Sequence, residues 1–216
     1  NQMRRLTAIL VVMLLPALVS AQGFRNQWEW SVAGIYQESA GTGTAGGSSL
    51  NINSDVGLGF SFNYLFNEKF MVGADLEWLS PDYQATMLDD QGQTTVIDHS
   101  LSQFNGRIKA TYNFSDAPFT PYVEGGFGWT YVDSNVADGP PITGCWWHPW
   151  WGYICSGFYN TFTETSFSYG GALGLRYKLR GGTIIKLSYN HWEIDGSGEA
   201  PDPTLNAARL EFAWGF

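Results

Sequence analysis

Residues 56–66 read VGLGFSFNYLF. Val56, Leu58, Phe60, Phe62, Tyr64 and Phe66 take the even positions, and Gly57, Gly59, Ser61, Asn63 and Leu65 the odd ones. A period of two gathers the apolar set on one face of an extended strand. On a helix the same residues would scatter around the axis. The stretch is therefore a strand with one strongly apolar face and one small or polar face.

The alternation recurs in both directions along the chain. Phe70–Trp78 carries Phe70, Val72, Ala74, Leu76 and Trp78 on one face, with Asp75 and Glu77 on the other. Gln103–Phe114 sets Phe104, Ile108, Tyr112 and Phe114 against Asn105, Arg107, Lys109 and Asn113. Pro121–Tyr131, Phe167–Leu179, Ile185–Tyr189 and Ala208–Phe216 follow the same rule, and Trp28–Tyr36 completes a set of eight. Aromatic residues make up 16% of the chain and charged residues 14%, with 26 glycines. That balance, without sustained helical periodicity, indicates an all-β protein.

The position of the charges separates two all-β architectures. No Asp, Glu, Lys or Arg falls on the apolar face of any of the eight strands. A soluble sandwich would bury all those large apolar side chains in one core and turn a glycine-rich face to water. A closed barrel in a membrane reverses this: the apolar face meets lipid, and the polar face lines the interior. Closure also pairs every backbone group, as a bilayer requires. The expected fold is an eight-stranded antiparallel up-and-down transmembrane β-barrel.

The gaps between strands agree. Asn67-Glu68-Lys69, 115–118 and Arg180-Gly181-Gly182 are tight turns, whereas the gaps around 37–55, 79–100, 132–166 and 190–205 are long. Short and long gaps alternate strictly, as in barrels with short periplasmic turns and longer extracellular loops. Aromatics gather near the predicted strand ends. Trp28, Phe66, Phe70, Phe114, Tyr177 and Phe216 suit one interfacial girdle, and Tyr36, Trp78, Trp129, Tyr131 and Phe167 the other.

The start of the chain reads as an export signal. Arg4 and Arg5 precede an apolar run from Leu6 to Val19, and Val19-Ser20-Ala21 offers small residues for cleavage. The expected division is a signal peptide over residues 1–21 and a barrel domain over 22–216. Removal of Arg4 and Arg5 takes the net charge from −9 to about −11, which argues against nucleic acid as a partner. Export to an oxidising compartment allows the two cysteines, Cys145 and Cys155, to pair.

Three segments carry a family resemblance: PYVEGGFGWTY (121–131), FSYGGALGLRYKL (167–179) and the final ARLEFAWGF (208–216). The chain resembles the eight-stranded outer membrane β-barrels: the OmpA transmembrane domain, OmpX and the opacity-protein group. The resemblance implies a monomer in the outer membrane of a Gram-negative bacterium, in contact with lipopolysaccharide. Leu210, Phe212, Trp214 and Phe216 match the family's C-terminal assembly signal, which implies insertion by the barrel-assembly machinery. No peptidoglycan-binding domain is expected after the last strand.

The predicted inward face holds Glu29, Asp75, Glu77, Glu124 and Glu211 against Arg107, Lys109, Arg176, Lys178, Lys186 and Arg209. An eight-stranded barrel is just wide enough for side chains to fill it, so these groups must pair inside a narrow tube. The expected result is an interlocked ion network that closes the barrel. A small gated channel is the second reading of the same lumen, and a lipid-modifying enzyme is the third. Against an enzyme, His99 and Ser100 point to opposite faces of a strand-like stretch, and His191 has no evident nucleophile beside it. The acidic loop residues Asp89, Asp90, Asp98, Asp138, Asp195, Glu199 and Asp202 fit no EF-hand spacing. No metal, cofactor or catalytic residue is expected. SAGTGTAGGSSLNIN (39–53) reads as a flexible polar loop.

The longest gap contains GCWWHPWWGYICSG (144–157). Cys145 and Cys155 bracket Trp146, Trp147, His148, Trp150, Trp151 and Tyr153. A bond between the cysteines would close the loop and contribute roughly 2–3 kcal/mol. It would also remove both thiolates, leaving His148 alone and a metal site poorly supplied. With Pro149 bending the tip, the two tryptophan pairs are expected to face each other as two arms. Two readings stand side by side: a self-packed aromatic knot, and a surface interaction tip for a ligand the sequence does not name. The expected role is structural or interactive, in adhesion or envelope integrity.

Overall fold

In this chain burial runs opposite to that of a water-soluble protein. Arg209 and Glu211 are each 2% exposed, whereas Leu210 and Phe212 are 43% and 44% exposed. The computed structural model describes residues 28–43, 49–67, 69–88, 94–138, 140, 142–148, 152–158, 160–195 and 203–216. The expected signal peptide lies outside them. So do Asp89, Asp90, Pro149, Trp150, Trp151, Glu199 and Asp202.

The described residues form fourteen strands. In chain order these are β1 (Trp28–Gln37), β2 (Ala40–Gly43), β3 (Ser49–Ile52), β4 (Asp55–Leu65), β5 (Phe70–Leu79), β6 (Asp82–Leu88) and β7 (Thr94–Ser100). They continue with β8 (Ser102–Asn113), β9 (Phe119–Ala137), β10 (Ile142–His148), β11 (Gly152–Phe158), β12 (Thr161–Lys178), β13 (Thr183–Ile194) and β14 (Thr204–Gly215). Eight of them close a barrel in the order β1-β14-β13-β12-β9-β8-β5-β4. These are the eight expected strands, each antiparallel to its neighbours. The first and last strands seal the wall, where Trp28 and Phe216 exchange backbone hydrogen bonds. No edge strand is left in the barrel, so its backbone groups are satisfied within the wall.

Each short connection has its own local cause. The Asn67 carboxamide oxygen accepts from the backbone N–H groups of Lys69 and Phe70, an Asx turn between β4 and β5. Between β12 and β13, the Gly182 N–H donates to Leu179 O with Gly182 at φ 86°. A left-handed residue after a tight turn is the usual place for glycine in a hairpin. Aromatic rings stack around this rim, including Trp28 on Phe62 at 4.9 Å and Phe66 on Phe70 at 5.8 Å. At the opposite rim Trp78 meets Phe104 at 5.3 Å, and Trp129 meets Phe167 at 6.4 Å.

The wall does not stop at that second rim. β9 has 19 residues and β12 has 18, so both run well past the aromatic belt. The β10–β11 hairpin stands beyond them. Two long gaps also contain structure. β2, β3, β6 and β7 form a separate four-stranded sheet in that order. This corrects the reading of 39–53 as a flexible loop. Leu50 and Ile52 alternate with polar residues and pair with Ala85 and Tyr83 of β6, a partner thirty-odd residues away that local composition does not reveal. The sheet is fastened to β9 at Asn135, whose side chain donates to Ser100 O at 2.9 Å and lies 3.4 Å from Ser102 Oγ. Asn135 sits at φ 53°, where the β9–β12 register shifts. Asparagine tolerates this conformation better than most residues.

Inside the barrel, large side chains lie over glycines on the neighbouring strand. Arg107 is paired with Gly128, Lys109 with Gly126, Tyr122 with Gly174 and Asn63 with Gly73. A Cβ added at Gly128 would fall 2.1 Å from Gly106 O and 3.0 Å from Arg107 Cγ. Gly128→Val is therefore expected to destabilise the folded barrel by about 1–3 kcal/mol through overpacking. Gly34→Ala, on the outer wall with nothing within 4 Å of its added Cβ, should leave the urea midpoint in lipid vesicles unchanged.

Candidate functional site

The inward face brings ten charged side chains into one connected set. Arg209 on β14 is its centre. Its guanidinium is 2.8 Å from Asp75, 2.8 Å from Glu77 and 2.9 Å from Glu211, and it donates to Ser61 Oγ at 2.6 Å. Lys109 on β8 bridges Asp75 at 2.9 Å and Glu124 at 3.1 Å. Arg107, two residues along, pairs with Glu77 at 2.6 Å and lies over the Trp192 ring at 4.1 Å. Toward the tight-turn rim, Glu29 takes Arg176 at 3.1 Å and also pairs with Lys186. Lys186 reaches Glu211 at 4.0 Å and so joins the two halves.

Neutral donors complete the set. Ser31 donates to Glu211 at 2.8 Å, Thr111 to Glu124 at 2.9 Å and Asn105 to Glu77 at 3.1 Å. Nine of the ten charged side chains are at most 8% exposed and Arg176 is 12% exposed. Charges this deep are tolerated only when paired and hydrogen-bonded. Here five cations meet five carboxylates, so the set is formally neutral.

Lys178 is the correction. Its parity matches that of Arg176, but it is exposed and belongs to none of the ion pairs among the described residues. It is the last residue of β12, and its N–H donates to Pro118 O at the rim. The wall no longer encloses the interior at that level. Two inward residues that the sequence reading passed over are bulky. Trp192 is 4% exposed and Tyr122 is 2% exposed. Each continues a parity already set by its strand, Trp192 after Lys186, Ser188 and Asn190, and Tyr122 before Glu124. Met71, Ile184, Leu79 and Leu205 are buried as well. The interior is therefore an ion network held between apolar side chains rather than an all-polar lining.

The three histidines lie apart. His99 stacks on Tyr83 in the four-stranded sheet, with ring centroids 6.4 Å apart. His148 pairs with Gly152 in the β10–β11 hairpin. His191 faces outward on β13, with Nδ1 2.8 Å from Asn206 Oδ1 and Nε2 4.0 Å from Glu193. Tyr169 donates its hydroxyl to the same Glu193 at 2.5 Å. Among the described residues there is no group of three or more His, Cys, Asp or Glu placed to hold a metal ion.

In the aromatic hairpin, β10 and β11 place Cys145 directly opposite Cys155. Trp146 is opposite Ile154 and Trp147 opposite Tyr153. Trp150 and Trp151, the second arm of the expected facing pairs, lie outside the described residues. Of the C-terminal residues, Leu210, Phe212 and Phe216 are exposed on the outer wall, and Trp214 packs against Trp30 at 4.8 Å.

Removing the centre of the network should cost far more than removing a rim charge. Arg209→Met would leave Asp75, Glu77 and Glu211 short of a shared cation, with an expected loss of about 3–5 kcal/mol in unfolding free energy. Lys178→Met should leave the midpoint unchanged. Urea unfolding of both variants in lipid vesicles makes the comparison.

Comparison with known proteins places this architecture. Neisserial surface protein A (NspA) aligns with a TM-score of 0.57 at 11% identity, covering 88% of this chain and 97% of that one. The outer membrane protein OprG from Pseudomonas aeruginosa aligns with a TM-score of 0.50 at 15% identity, covering 88% and 94%. At these identities the likeness is one of fold. No curated protein matches the sequence. Residues 7–216 match the family model described as "Outer membrane protein beta-barrel domain". With an eight-stranded closed barrel and a match over nearly the whole chain, the protein belongs to the outer membrane protein β-barrel domain family.

Proposed function

We propose that this barrel serves the cell envelope by structure and surface contact, and that its contact element is the β10–β11 hairpin. The observation that carries the reading is the filled interior. A neutral ion network and bulky apolar side chains occupy the lumen, while the wall is prolonged on one side into a hairpin rich in tryptophan. Exposed aromatics are a recognised interaction signature. The long loops face outward from the cell under the usual layout of such barrels.

The hairpin is closed by a Cys145–Cys155 disulfide in this reading. Directly opposed residues of an antiparallel pair have Cα atoms about 4.5–5.5 Å apart, within the range that a disulfide spans. Export supports it: cleavage after Ala21 delivers the chain to an oxidising compartment. The C-terminal residues Leu210, Phe212, Trp214 and Phe216 are read by the barrel-assembly machinery, and the product is a monomer in contact with lipopolysaccharide.

Deleting residues 140–158 is the decisive test. The variant should still form a barrel that migrates anomalously on gels until boiled, and it should lose surface binding to cells or matrix. Unchanged binding would remove the hairpin from the function. Mass mapping under non-reducing conditions should recover residues 145 and 155 in one linked peptide, and free thiols would end the disulfide. Purified protein in planar bilayers should give no steady conductance. Reproducible current steps would return the function to the channel reading.

A further inference from the structure

Every Lys and Arg outside the interior network and the segment before β1 lies on the tight-turn rim. These are Lys69, Lys178 and Arg180, all exposed. The four long connections, 37–55, 79–100, 132–166 and 190–205, hold thirteen Asp and Glu and no Lys or Arg. The two mouths of the barrel therefore carry opposite kinds of charge. The three tight connections are not equivalent. Lys69 follows Glu68 in the first, and the second holds Asp116 and no cation. The third, between β12 and β13, has Lys178 and Arg180 separated only by Leu179, and no acidic residue occurs between Glu164 and Glu193. Neither cation belongs to an ion pair among the described residues.

The turn holds these cations on a fixed base. Lys178 N–H donates to Pro118 O at 2.7 Å, Leu179 N–H to Thr183 O at 2.8 Å and Gly182 N–H to Leu179 O at 3.1 Å. A Cβ added at Gly181 or Gly182 would meet nothing within 4 Å, so a ligand group can approach the turn backbone. On the lipid side, Tyr177 stands opposite Phe119 and Ile185, and the two rings are 47% and 57% exposed. Two unpaired cations thus stand beside an apolar, aromatic wall. The adjoining β8–β9 turn offers one acid, Asp116, so the two turns together keep a net positive charge. Tight turns face the inner leaflet under the layout of such barrels, the leaflet that glycerophospholipids occupy. A zwitterionic headgroup would bring its ammonium against Lys178 and Arg180. A headgroup of net negative charge offers only its phosphate.

We propose that the β12–β13 turn is a binding site for one anionic glycerophospholipid of the inner leaflet. Its phosphate sits between Lys178 and Arg180, and an acyl chain lies on Tyr177 and Phe119. The cations supply the choice of headgroup, and the rings supply apolar contact. The site is independent of the hairpin and of the disulfide.

The test is native mass spectrometry of the full-length barrel released from nanodiscs of equal phosphatidylglycerol and phosphatidylethanolamine. Wild type should retain phosphatidylglycerol in preference by about tenfold, and Lys178→Gln or Arg180→Gln should each reduce that to about threefold. The double variant should retain both lipids equally. Lys69→Gln should keep the wild-type preference, since Glu68 already offsets Lys69. Heat-dependent gel migration shows that each variant is folded. Equal retention of both lipids by wild type, or an unchanged preference in the double variant, would overturn the site. A loss in Lys69→Gln as large as in Arg180→Gln would show a diffuse field of the whole rim and overturn it as well. Displacement of the lipid by excess inorganic phosphate would show a free-phosphate site and overturn the lipid.

Discussion

Arg209 shows the constraint on which the rest depends. A guanidinium inside a narrow, closed wall cannot be left to water, so it must be surrounded by carboxylates at fixed positions. Asp75 and Glu77 on β5 and Glu211 on its own strand do this. Because β5 lies three strands from β14 around the barrel, the pairs of Arg209 with Asp75 and Glu77 tie separate parts of the wall across the interior. The outer wall has no comparable tie, since lipid is as apolar as the side chains that face it. The network thus supplies transverse cohesion that the hydrophobic effect supplies in a soluble protein.

The same requirement explains how much of the fold can be read from the chain. Ten of the inward charges could be named because parity alone decides which face a strand residue occupies, and in a membrane only one face accepts charge. Parity does not report depth. Lys178 has the inward phase, yet it stands where the wall ends. Trp192 escaped for the opposite reason, since β13 continues to Ile194, beyond the apolar run that ends at Tyr189. The β2–β3–β6–β7 sheet was hidden in a different way. Its strands are short, and the pairing of β3 with β6 that joins its two local strand pairs is between segments distant in sequence. That Trp147 stands opposite Tyr153 is set by the register of the β10–β11 hairpin, which composition does not specify.

Filling the interior also redistributes the chemistry of the chain. Five of its Lys and Arg residues are spent on internal pairing, and the others lie near the N-terminus or at the tight-turn rim. The long-loop side is left acidic and aromatic, built on strands that rise past the membrane belt. One wall thus supports two surfaces of unlike character, a lipid-facing belt and a projecting anionic cap.

The pairing of glycine with a large neighbour has a consequence for strand alignment. Alternation of apolar and polar residues rejects a slip of one residue, because such a slip turns a strand inside out. A slip of two residues keeps every side chain on its proper face and passes that filter. It does not pass the glycines. Moving β8 by two residues along β9 would place Lys109 opposite Glu124 or Gly128, or Arg107 opposite Gly126 or Thr130, and would remove at least one of the matched gaps that their stems occupy. Volume complementarity inside the barrel thus reads register at a resolution that hydropathy cannot reach. It allows a chain of similar, alternating strands to close in one alignment.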